Sequence, residues 1–560
     1  MATLLPSLSI LDARTQAFPV LTPEQIDRIR PSAHVRKVQH GDILFAPGDT
    51  AVPFFVLLSG SMEIVQPTFQ GERAVATHGP GEFTGELMMI SGQRCLVLGR
   101  VTGAGEFLEV GGDALRSIVA KDSELSEILM RAFILRRIEL IRQGYGSVIL
   151  MGSHHSSQTL ELREFLVRNG HPYTYVDLET DRTSQELLDR FNVKPSEVPV
   201  VLCNISGKVL RNPTIQQLAS CLGLNSVIDA THVSDVIILG AGPAGLAAAV
   251  YAASEGLDVL MIETLAPGGQ AGSSSKIENY LGFPTGVSGQ ELAYRATTQA
   301  QKFGANMMIA HSVVRLDCSR RPFHVVLDSG ESLAARAIVI ATGAQYNKPD
   351  LANLAKYEGE GIYYGATFME SQLCEREDVI VVGGGNSAGQ AAAFLSQTAS
   401  KVHMLVRRGE LSSTMSRYLI QRLTENPRIE LHLSTEIVAL EGDPRLERVK
   451  WKDKQTGEIS THQIRHVFIM AGASPRTEWL RGCVAMDDNG FILTGRDLEN
   501  SPPDGNPRWP LTRPPEMLET SLPGVFAVGD VRAGNVKRVA SAVGEGAISI
   551  HLVHRALAEL

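Results

Sequence analysis

The sequence predicts a multidomain α/β protein: a β-roll comes first, a small α/β module follows, and two doubly wound parallel-sheet domains end the chain. Its 560 residues are too many for one hydrophobic core. Residues 20–120 consist of short apolar runs separated by glycines, a pattern typical of an all-β roll. After residue 147, apolar strands alternate with helical segments, as they do in α/β folds.

The composition is that of an ordinary globular protein and argues against two classes of partner. The formal net charge is −9, so the chain lacks the basic face that nucleic acid requires. The most apolar stretch, 236–253, is interrupted by glycines and a proline, which argues against a membrane span. The N-terminus lacks the pattern of a secretory signal, and we therefore expect a cytoplasmic protein.

A glycine-rich turn, Gly240 to Gly245, follows directly on the apolar strand 235–239 and precedes a helix. The first glycine permits a tight turn, the second lets the backbone approach a pyrophosphate, and the third allows close packing of the helix. Glu263 ends the next strand, where a carboxylate can accept hydrogen bonds from a ribose. The alternative is a purely structural turn. The predicted dinucleotide-binding residues are Gly240, Gly242, Pro243, Ala244, Gly245 and Glu263.

A second glycine-rich turn follows the strand 378–382, and the strand after it ends differently. Arg407 and Arg408 stand where the first copy has Glu263. A 2′-phosphate needs cations, so this copy should prefer NADP to NAD. The alternative is that the two arginines are solvated surface residues. The predicted NADPH-binding residues are Gly383, Gly385, Asn386, Ser387, Ala388, Arg407 and Arg408.

The module between the roll and the first turn has the element order of a thioredoxin or glutaredoxin fold. We predict strands at 148–151, 173–178 and 200–202, and helices at 159–169, through 191 and at 215–221. The position after the first strand reads Ser153-His-His-Ser-Ser157 and has no cysteine. His154 and His155 lack a third ligand at suitable spacing, so no metal site is predicted. The module is either a redox-silent packing or recognition domain, or the docking site of a partner thiol protein.

Residues 235–560 resemble low-molecular-weight thioredoxin reductases. The segments that carry the resemblance are Pro267–Gln270, Glu278–Tyr280, Gly282–Pro284, Ala341–Ala344, Met470–Pro475 and Gly524–Asp530. The resemblance implies FAD and NADPH as cofactors, a FAD domain split around an inserted NADPH domain, and a homodimer. It also implies further FAD contacts from Gly269, Gln270, Asn279, Thr342, Gly529, Asp530, Lys537, Arg538 and Val539.

Two departures from that family concern its redox chemistry. Gly365 and Phe368 replace the cysteines of the family's CATC motif, and neither can carry out disulfide exchange. No catalytic residue is therefore predicted, and Cys374 is read as structural. No two of the cysteines form a CxxC pair, and we expect no disulfide framework. Lys537 and Arg538 stand near the family's RQA motif, where they either place positive charge near the flavin or make a surface contact.

The N-terminal roll resembles cyclic-nucleotide-binding domains in its segments His40–Phe45 and Gly81–Leu87 and in Gln93-Arg94. The resemblance implies that backbone amides hold the cyclic phosphate, Arg94 neutralises it and Glu86 accepts a ribose hydroxyl. The chain departs from the family at Arg94–Val97, and the alternative is a roll that no longer binds nucleotide. A helix at 125–143 can connect the roll to the rest of the chain. The predicted cyclic-nucleotide residues are Gly85, Glu86, Leu87 and Arg94.

These observations predict a FAD-dependent, NADPH-linked oxidoreductase that a cyclic nucleotide, cAMP or cGMP, regulates. Its electron acceptor is a small molecule or a protein rather than its own disulfide. The alternative is a redox-silent signalling or sensor protein that holds FAD. The predicted domains are 1–145 (cyclic-nucleotide-binding-like), 146–230 (thioredoxin-like), 231–349 (FAD, first part), 350–466 (NADPH) and 467–560 (FAD, second part).

Overall fold

The computed structural model describes most of the chain. The described residues are 16–49, 52–68, 71–85, 89, 95, 97–142, 148–153, 156–179, 194, 197–203, 208–225, 229, 231–274, 276–358, 360–366, 368–443, 445–500 and 507–559. Among them, no helix combines the length and the apolar character that crossing a bilayer requires.

Strands and helices follow the order that the sequence predicts. The strands are β1 His34–Val38, β2 Ile43–Phe45, β3 Phe54–Leu57, β4 Ser61–Thr68, β5 Gly71–His78, β6 Leu98–Gly103, β7 Gly105–Val110, β8 Val148–Gly152, β9 Thr174–Asp177, β10 Val200–Cys203, β11 Lys208–Arg211, β12 Val233–Leu239, β13 Val259–Glu263, β14 Asn306–Ile309, β15 Val313–Asp317, β16 Phe323–Leu327, β17 Ser332–Ile340, β18 Gln345–Tyr346, β19 Ile362–Tyr363, β20 Asp378–Val382, β21 Lys401–Val406, β22 Ile429–Leu433, β23 Thr435–Glu441, β24 Arg448–Asp453, β25 Ile459–His462, β26 His466–Ile469, β27 Ala473–Ser474 and β28 Val525–Ala527. The helices are α1 Pro23–Ile29, α2 Gly112–Lys121, α3 Ser123–Arg142, α4 Ser157–Arg168, α5 Ile215–Leu222, α6 Pro243–Ser254, α7 Gly269–Gly272, α8 Gly289–Lys302, α9 Leu354–Tyr357, α10 Phe368–Leu373, α11 Asn386–Leu395, α12 Arg417–Thr424 and α13 Val539–Glu559.

The N-terminal region is a β-roll of two antiparallel sheets, as predicted. One sheet has the order β1-β7-β3 and the other the order β2-β6-β4-β5. Phe54, Phe55, Phe83 and Phe107 are fully buried between the sheets and the helices that follow. The long helix α3 extends from this core, where Phe133 packs edge-on against Phe54 and Phe83.

The middle region is a four-stranded sheet of order β11-β10-β8-β9, flanked by α4 and α5. β8 and β9 are parallel, whereas β10 is antiparallel to both of its neighbours. The Val198–Pro199 peptide bond before β10 is cis. His154, His155 and the helix predicted to run through residue 191 lie outside the described residues.

The C-terminal half contains two parallel-sheet units. The first sheet has the order β14-β13-β12-β17-β16-β15, and β28 pairs with β17; its strands pair in parallel except for the antiparallel β16 and β15 at one edge. The second has the order β19-β26-β20-β21-β22, covered on one side by the antiparallel sheet β23-β24-β25. The chain passes between them through β18 and β27, which pair with each other. The doubly wound fold is confirmed, and the exact domain boundaries stay predictions.

The middle region packs directly on the first parallel-sheet unit. Buried residues of both, including Phe165 and Ala252, belong to one hydrophobic cluster. The Arg168 guanidinium donates to the Gly269 carbonyl at 2.9 Å, and the Asn169 amide donates to the Leu265 carbonyl at 3.1 Å. The C-terminal end of α4 is therefore fixed to the loop that contains Pro267–Gln270.

Two cysteine pairs are bonded, which corrects the expectation of no disulfides. Cys203 of β10 is bonded to Cys221 of α5, and Cys318 is bonded to Cys483. The partners are separated by 18 and 165 residues in the chain. Such pairings depend on how distant elements meet in space, so no sequence motif marks them.

Candidate functional site

The first glycine-rich turn leaves no room for side chains at its outer positions. Gly240 has φ +100°, and a Cβ on it would lie 2.5 Å from the Ala341 carbonyl oxygen. A Cβ on Gly245 would lie 1.9 Å from the Gly240 carbonyl oxygen. Helix α6 begins at Pro243, and no side chain caps the amide groups of its first turn in the described structure. These amides are therefore available to an anion such as a pyrophosphate.

Glu263 holds the shape of this turn. Its carboxylate is buried, and Oε2 accepts the Ala241 N–H at 2.7 Å. Oε1 accepts the Leu265 N–H at 3.0 Å. A carboxylate offers about four lone-pair positions, so Glu263 retains acceptor capacity for a ribose hydroxyl.

The segment Pro267–Gln270 lies against the first turn. The Gly268 N–H donates to the Ala241 carbonyl at 2.7 Å, and a Cβ on Gly269 would lie 3.0 Å from the Gly242 Cα. The Gln270 amide donates to the Ala344 carbonyl, next to the exposed Thr342. These predicted residues are thus brought together around one opening, whereas Asn279 is exposed on a separate loop.

The Gly529-Asp530 motif approaches the same turn from the C-terminal side. Gly529 has φ +74°, and a Cβ on it would lie 2.9 Å from the Ala244 Cβ. Burial raises the pKa of Asp530, and the nearby Lys537 ammonium opposes that shift. Lys537 and Arg538 are exposed.

Glu545 and Gly546 place α13 close to α6, and neither residue was identified from the sequence. The Gly529 N–H donates to Glu545 Oε2 at 2.7 Å, and Arg532 pairs with Glu545 at 2.6 Å. A Cβ on Gly546 would lie 2.1 Å from the Ala244 carbonyl oxygen. The sequence signal for this contact was Gly546, a glycine in the interior of helix α13.

The second glycine-rich turn has the same construction with more open space. Gly383 has φ +144°, and a Cβ on it would lie 2.5 Å from the Met470 carbonyl oxygen. Gly385 precedes α11, and no described atom lies within 4 Å of an added Cβ there. Ala388 is fully buried, and Asn386 Oδ1 accepts the Ser416 N–H at 2.8 Å. The first turn of α11 therefore faces open space bounded by a fixed loop.

Arg407 and Arg408 are exposed at the end of β21. Arg408 Nη1 donates to the Ser413 hydroxyl at 3.5 Å, and the Thr414 hydroxyl donates to the Gly384 carbonyl at 2.7 Å. The loop with Ser413 and Thr414 was not singled out from the sequence. It positions one of the two arginines beside the second turn.

Tyr346 connects the two nucleotide motifs and was also missed. It lies on β18 and is within hydrogen-bonding reach of Ser387, at the start of α11. Burial raises the pKa of its hydroxyl, and the negative charge of Asp530 acts in the same direction. The side chain of Ser387, from the second unit, and the charge of Asp530, from the first, therefore both influence this tyrosine.

Gly365, one of the two positions of the family's cysteines, lies near the first parallel-sheet unit. A Cβ on Gly365 would lie 4.0 Å from the Cβ of Ser273, which follows α7. Phe368 begins α10, and its side chain lies outside the described residues. Cys374 is fully buried in the core of the second sheet, as expected for a structural residue.

One predicted cyclic-nucleotide residue can be placed. Gly85 has φ +112°, and its carbonyl accepts a hydrogen bond from Arg136 Nη1 of α3 at 2.8 Å. Arg136 is buried, and its Nε donates to the Ala17 carbonyl at 2.7 Å. Glu86, Leu87 and Arg94 lie outside the described residues.

Comparison with known families assigns both ends of the chain. Residues 234–546 match the family described as pyridine nucleotide-disulphide oxidoreductase. Residues 35–122 match the cyclic nucleotide-binding domain. These matches agree with the two resemblances stated from the sequence motifs.

Individual relatives are thioredoxin reductases that align with the C-terminal half. The Rickettsia felis enzyme is 34% identical over 317 residues, which are 56% of this chain and 95% of the relative. The Mycolicibacterium smegmatis enzyme is 34% identical over 329 residues, or 58% and 97% of the two chains. Among solved structures, Lactococcus lactis thioredoxin reductase in its FR conformation has a TM-score of 0.52 at 27% identity, covering 58% of this chain and 100% of that one. The thioredoxin reductase of T. acidophilum has a TM-score of 0.51 at 28% identity, covering 57% of this chain and 98% of that one.

The cofactors of these relatives, FAD and NADPH, are those that the two glycine-rich turns predict. The first turn is hydrogen-bonded to the buried Glu263, an acceptor that the ribose of FAD requires. Arg407 and Arg408 follow the second turn and supply the positive charge that the 2′-phosphate of NADPH requires. The chain belongs to the pyridine nucleotide-disulphide oxidoreductase family, as a thioredoxin reductase-like protein with an N-terminal cyclic nucleotide-binding domain.

Proposed function

We propose that this protein is an NADPH-dependent FAD oxidoreductase that passes electrons to an acceptor outside its own chain. The observation that carries the proposal is the position of Tyr346. The Ser387 side chain at the start of α11, which follows the second nucleotide turn, and the charge of Asp530 beside the first turn both act on the Tyr346 hydroxyl. An inert flavin protein has no need for a second nucleotide site beside the first.

The residues of both turns fit their cofactors. The uncapped amides of α6 receive the pyrophosphate of FAD, and Glu263 and Asp530 supply acceptors for its hydroxyl groups. The open first turn of α11 receives the pyrophosphate of NADPH, and Arg407 with Arg408 pairs with the 2′-phosphate. NADPH supplies a hydride when bound, and FAD carries the electron pair to the acceptor.

The acceptor differs from that of thioredoxin reductases because the usual outlet is absent from the sequence. Gly365 and Phe368 have no sulfur, so they cannot form a mixed disulfide. The acceptor is a small molecule such as a quinone or oxygen, or a partner protein that brings its own thiols. The middle region offers such a partner a docking surface, because α4 fixes it to the loop that contains Pro267–Gln270.

The N-terminal domain supports regulation by a cyclic nucleotide. Arg136 joins the linker helix α3 to the Gly85 carbonyl, at the start of the predicted phosphate-binding segment. A ligand that alters this segment can therefore alter α3, provided that it binds two conformations with different affinity. A homodimer and a cytoplasmic location remain predictions beside this proposal.

An anaerobic experiment tests the proposal. The purified yellow protein is mixed with NADPH, and flavin absorbance is followed. We expect prompt bleaching that air reverses and that oxidised thioredoxin does not. Unbleached flavin after hours would exclude the oxidoreductase, and reoxidation by thioredoxin would show that thiol chemistry persists. Repeating the assay with cAMP and cGMP tests the regulation.

A redox-silent sensor is the second candidate, and the loss of cysteines from both redox modules favours it. In that case FAD is structural, and NADPH leaves the flavin spectrum unchanged. The retained pair Arg407 and Arg408 speaks against it, because recognition of NADPH has no use in an inert protein.

A further inference from the structure

A cluster of two histidines and a glutamate lies inside the second parallel-sheet unit, away from both glycine-rich turns. His403 is on β21, and Glu430 and His432 are on the neighbouring strand β22. Their three ligand atoms lie within 4.8 Å of one another. The two strands pair in parallel, with His403 opposite Glu430. We propose that this cluster is a zinc site, which is independent of the proposed redox function.

The separations between the polar atoms match the edges of a tetrahedral zinc site. Zn–N bonds of 2.0–2.1 Å in tetrahedral geometry place neighbouring ligand atoms about 3.3 Å apart. His403 Nδ1 is 3.1 Å from His432 Nε2, and His432 Nε2 is 3.5 Å from Glu430 Oε1. The third edge is longer, with His403 Nδ1 4.0 Å from Glu430 Oε2, so the partly exposed Glu430 side chain must move towards His403 to complete the site. The site thus offers three protein ligands and keeps the fourth position for water.

Glu430 has a second partner that leaves one of its oxygens available. Its Oε2 pairs with the Lys401 ammonium, while Oε1 faces His432. A hydrogen-bonded ligand carboxylate is usual around metals, since the outer partner orients it. The Glu430 side chain is 44% exposed, whereas the histidines are mostly buried. An ion can therefore enter past Glu430.

An ion at this location would lie beside the sheet β23-β24-β25. Trp451 of β24 packs at 5.1 Å from the His432 ring, and His462 of β25 stacks on Trp451 at 3.4 Å between ring centroids. Zinc held by β21 and β22 would fix these strands beneath the sheet β23-β24-β25. His403 lies three residues before the end of β21 at Val406, and Arg407 follows directly, so the ion would also stiffen the base of the arginine pair.

Metal analysis of the full-length, FAD-loaded protein tests the site. The protein is stripped with a chelator, incubated with ZnCl₂, desalted and analysed by mass spectrometry for bound zinc. We expect one zinc per chain and, with CoCl₂, a tetrahedral cobalt spectrum at wavelengths beyond the flavin bands. His432→Gln and Glu430→Gln should each lower zinc affinity at least about tenfold.

Matched variants separate this cluster from other histidines. His462→Gln changes a neighbour that is not a ligand, and the His154→Gln, His155→Gln double variant removes the other paired histidines; both should keep the zinc. The site is wrong if the wild type retains no more zinc than a His403→Gln, His432→Gln double variant. In that case the 3.1 Å contact between His403 and His432 would be only a hydrogen bond between two imidazoles.

Discussion

Arg422 Nη1 of α12 lies 2.6 Å from Glu278 Oε2, and this ion pair joins the second parallel-sheet unit to the Glu278–Tyr280 loop of the first. Burial acts to raise the pKa of Glu278, but hydrogen bonds from Arg422 and Lys276 outweigh it and lower the pKa. The pair therefore persists at neutral pH. It is therefore a polar link between the two units in this arrangement.

Arg422→Ala should slow flavin reduction by NADPH without changing NADPH affinity. A partly exposed ion pair contributes about 0.2–1 kcal/mol, which corresponds to at most about a fivefold change in rate. Stopped-flow absorbance measures the rate. Lys276→Ala is the control, because Lys276 also pairs with Glu278, at 3.2 Å, but lies on the same loop. Equal rates in the wild type and the Arg422 variant would show that this ion pair has no effect on flavin reduction.

The arginine pair after β21 should set the preference for NADPH. An Arg407→Ala, Arg408→Ala variant loses charge-assisted bonds worth about 1.5–3 kcal/mol each, so the KM for NADPH should rise at least about tenfold. The KM for NADH should change little. Lys452→Ala removes a charge from β24 of the same unit as the control. An unchanged ratio of the two KM values would mean that the arginines are ordinary surface residues.

Gly546→Ala should weaken FAD retention, because its Cβ would lie 2.1 Å from the Ala244 carbonyl in the first turn. Gly544→Ala is the matched control on the same helix. No described atom lies within 4 Å of a Cβ there, so this change should raise stability by about 0.5–1 kcal/mol. The measurement is the fraction of FAD that remains bound after dialysis. Equal retention by both variants would contradict the close contact between α6 and α13.

Arg136→Met should abolish any response to cyclic nucleotide while leaving basal reduction of the flavin by NADPH intact. The change removes the only described side-chain bond to the part-buried Gly85 carbonyl, and a hydrogen bond from a charged group contributes about 1.5–3 kcal/mol. Circular dichroism confirms that the variant is folded, and flavin reduction is then compared with and without cAMP or cGMP. A variant that responds as the wild type does would break the proposed link.

The N-terminal roll should lose stability in mild acid because of His78. Burial lowers the pKa of His78 to about 3, and the Arg136 charge acts in the same direction. Below the ordinary value of 6.5, the unfolded chain binds a proton that the folded chain does not. Stability is therefore complete above that value and falls by about 1.4 kcal/mol per pH unit as the pH decreases towards 3.

Hydrogen exchange of β5 peptides, corrected for the intrinsic effect of pH, measures this loss. His78→Gln should flatten the dependence, whereas His34→Gln, at an exposed position of β1, should not. A steep dependence in the His78 variant would assign the acid sensitivity to other groups.

The local parts of the fold could be predicted from the sequence, and the meeting of distant parts could not. Gly240 and Gly383 are marked by the strand before and the helix after them, so their turns were found. Tyr346 has no motif of its own, and its contact with Ser387 depends on how β18 passes between the two sheets. The bond between Cys318 and Cys483 and the cluster of His403 with His432 likewise arise from elements that only the fold brings together.

The most direct test of the central claim is an anaerobic titration with NADPH that counts the electrons the protein accepts. Without a redox-active cysteine pair, one NADPH per FAD should bleach the flavin completely, and further NADPH should accumulate unused. Consumption of a second NADPH per FAD would show that a disulfide of this chain accepts electrons, and that result would contradict an electron acceptor outside the chain.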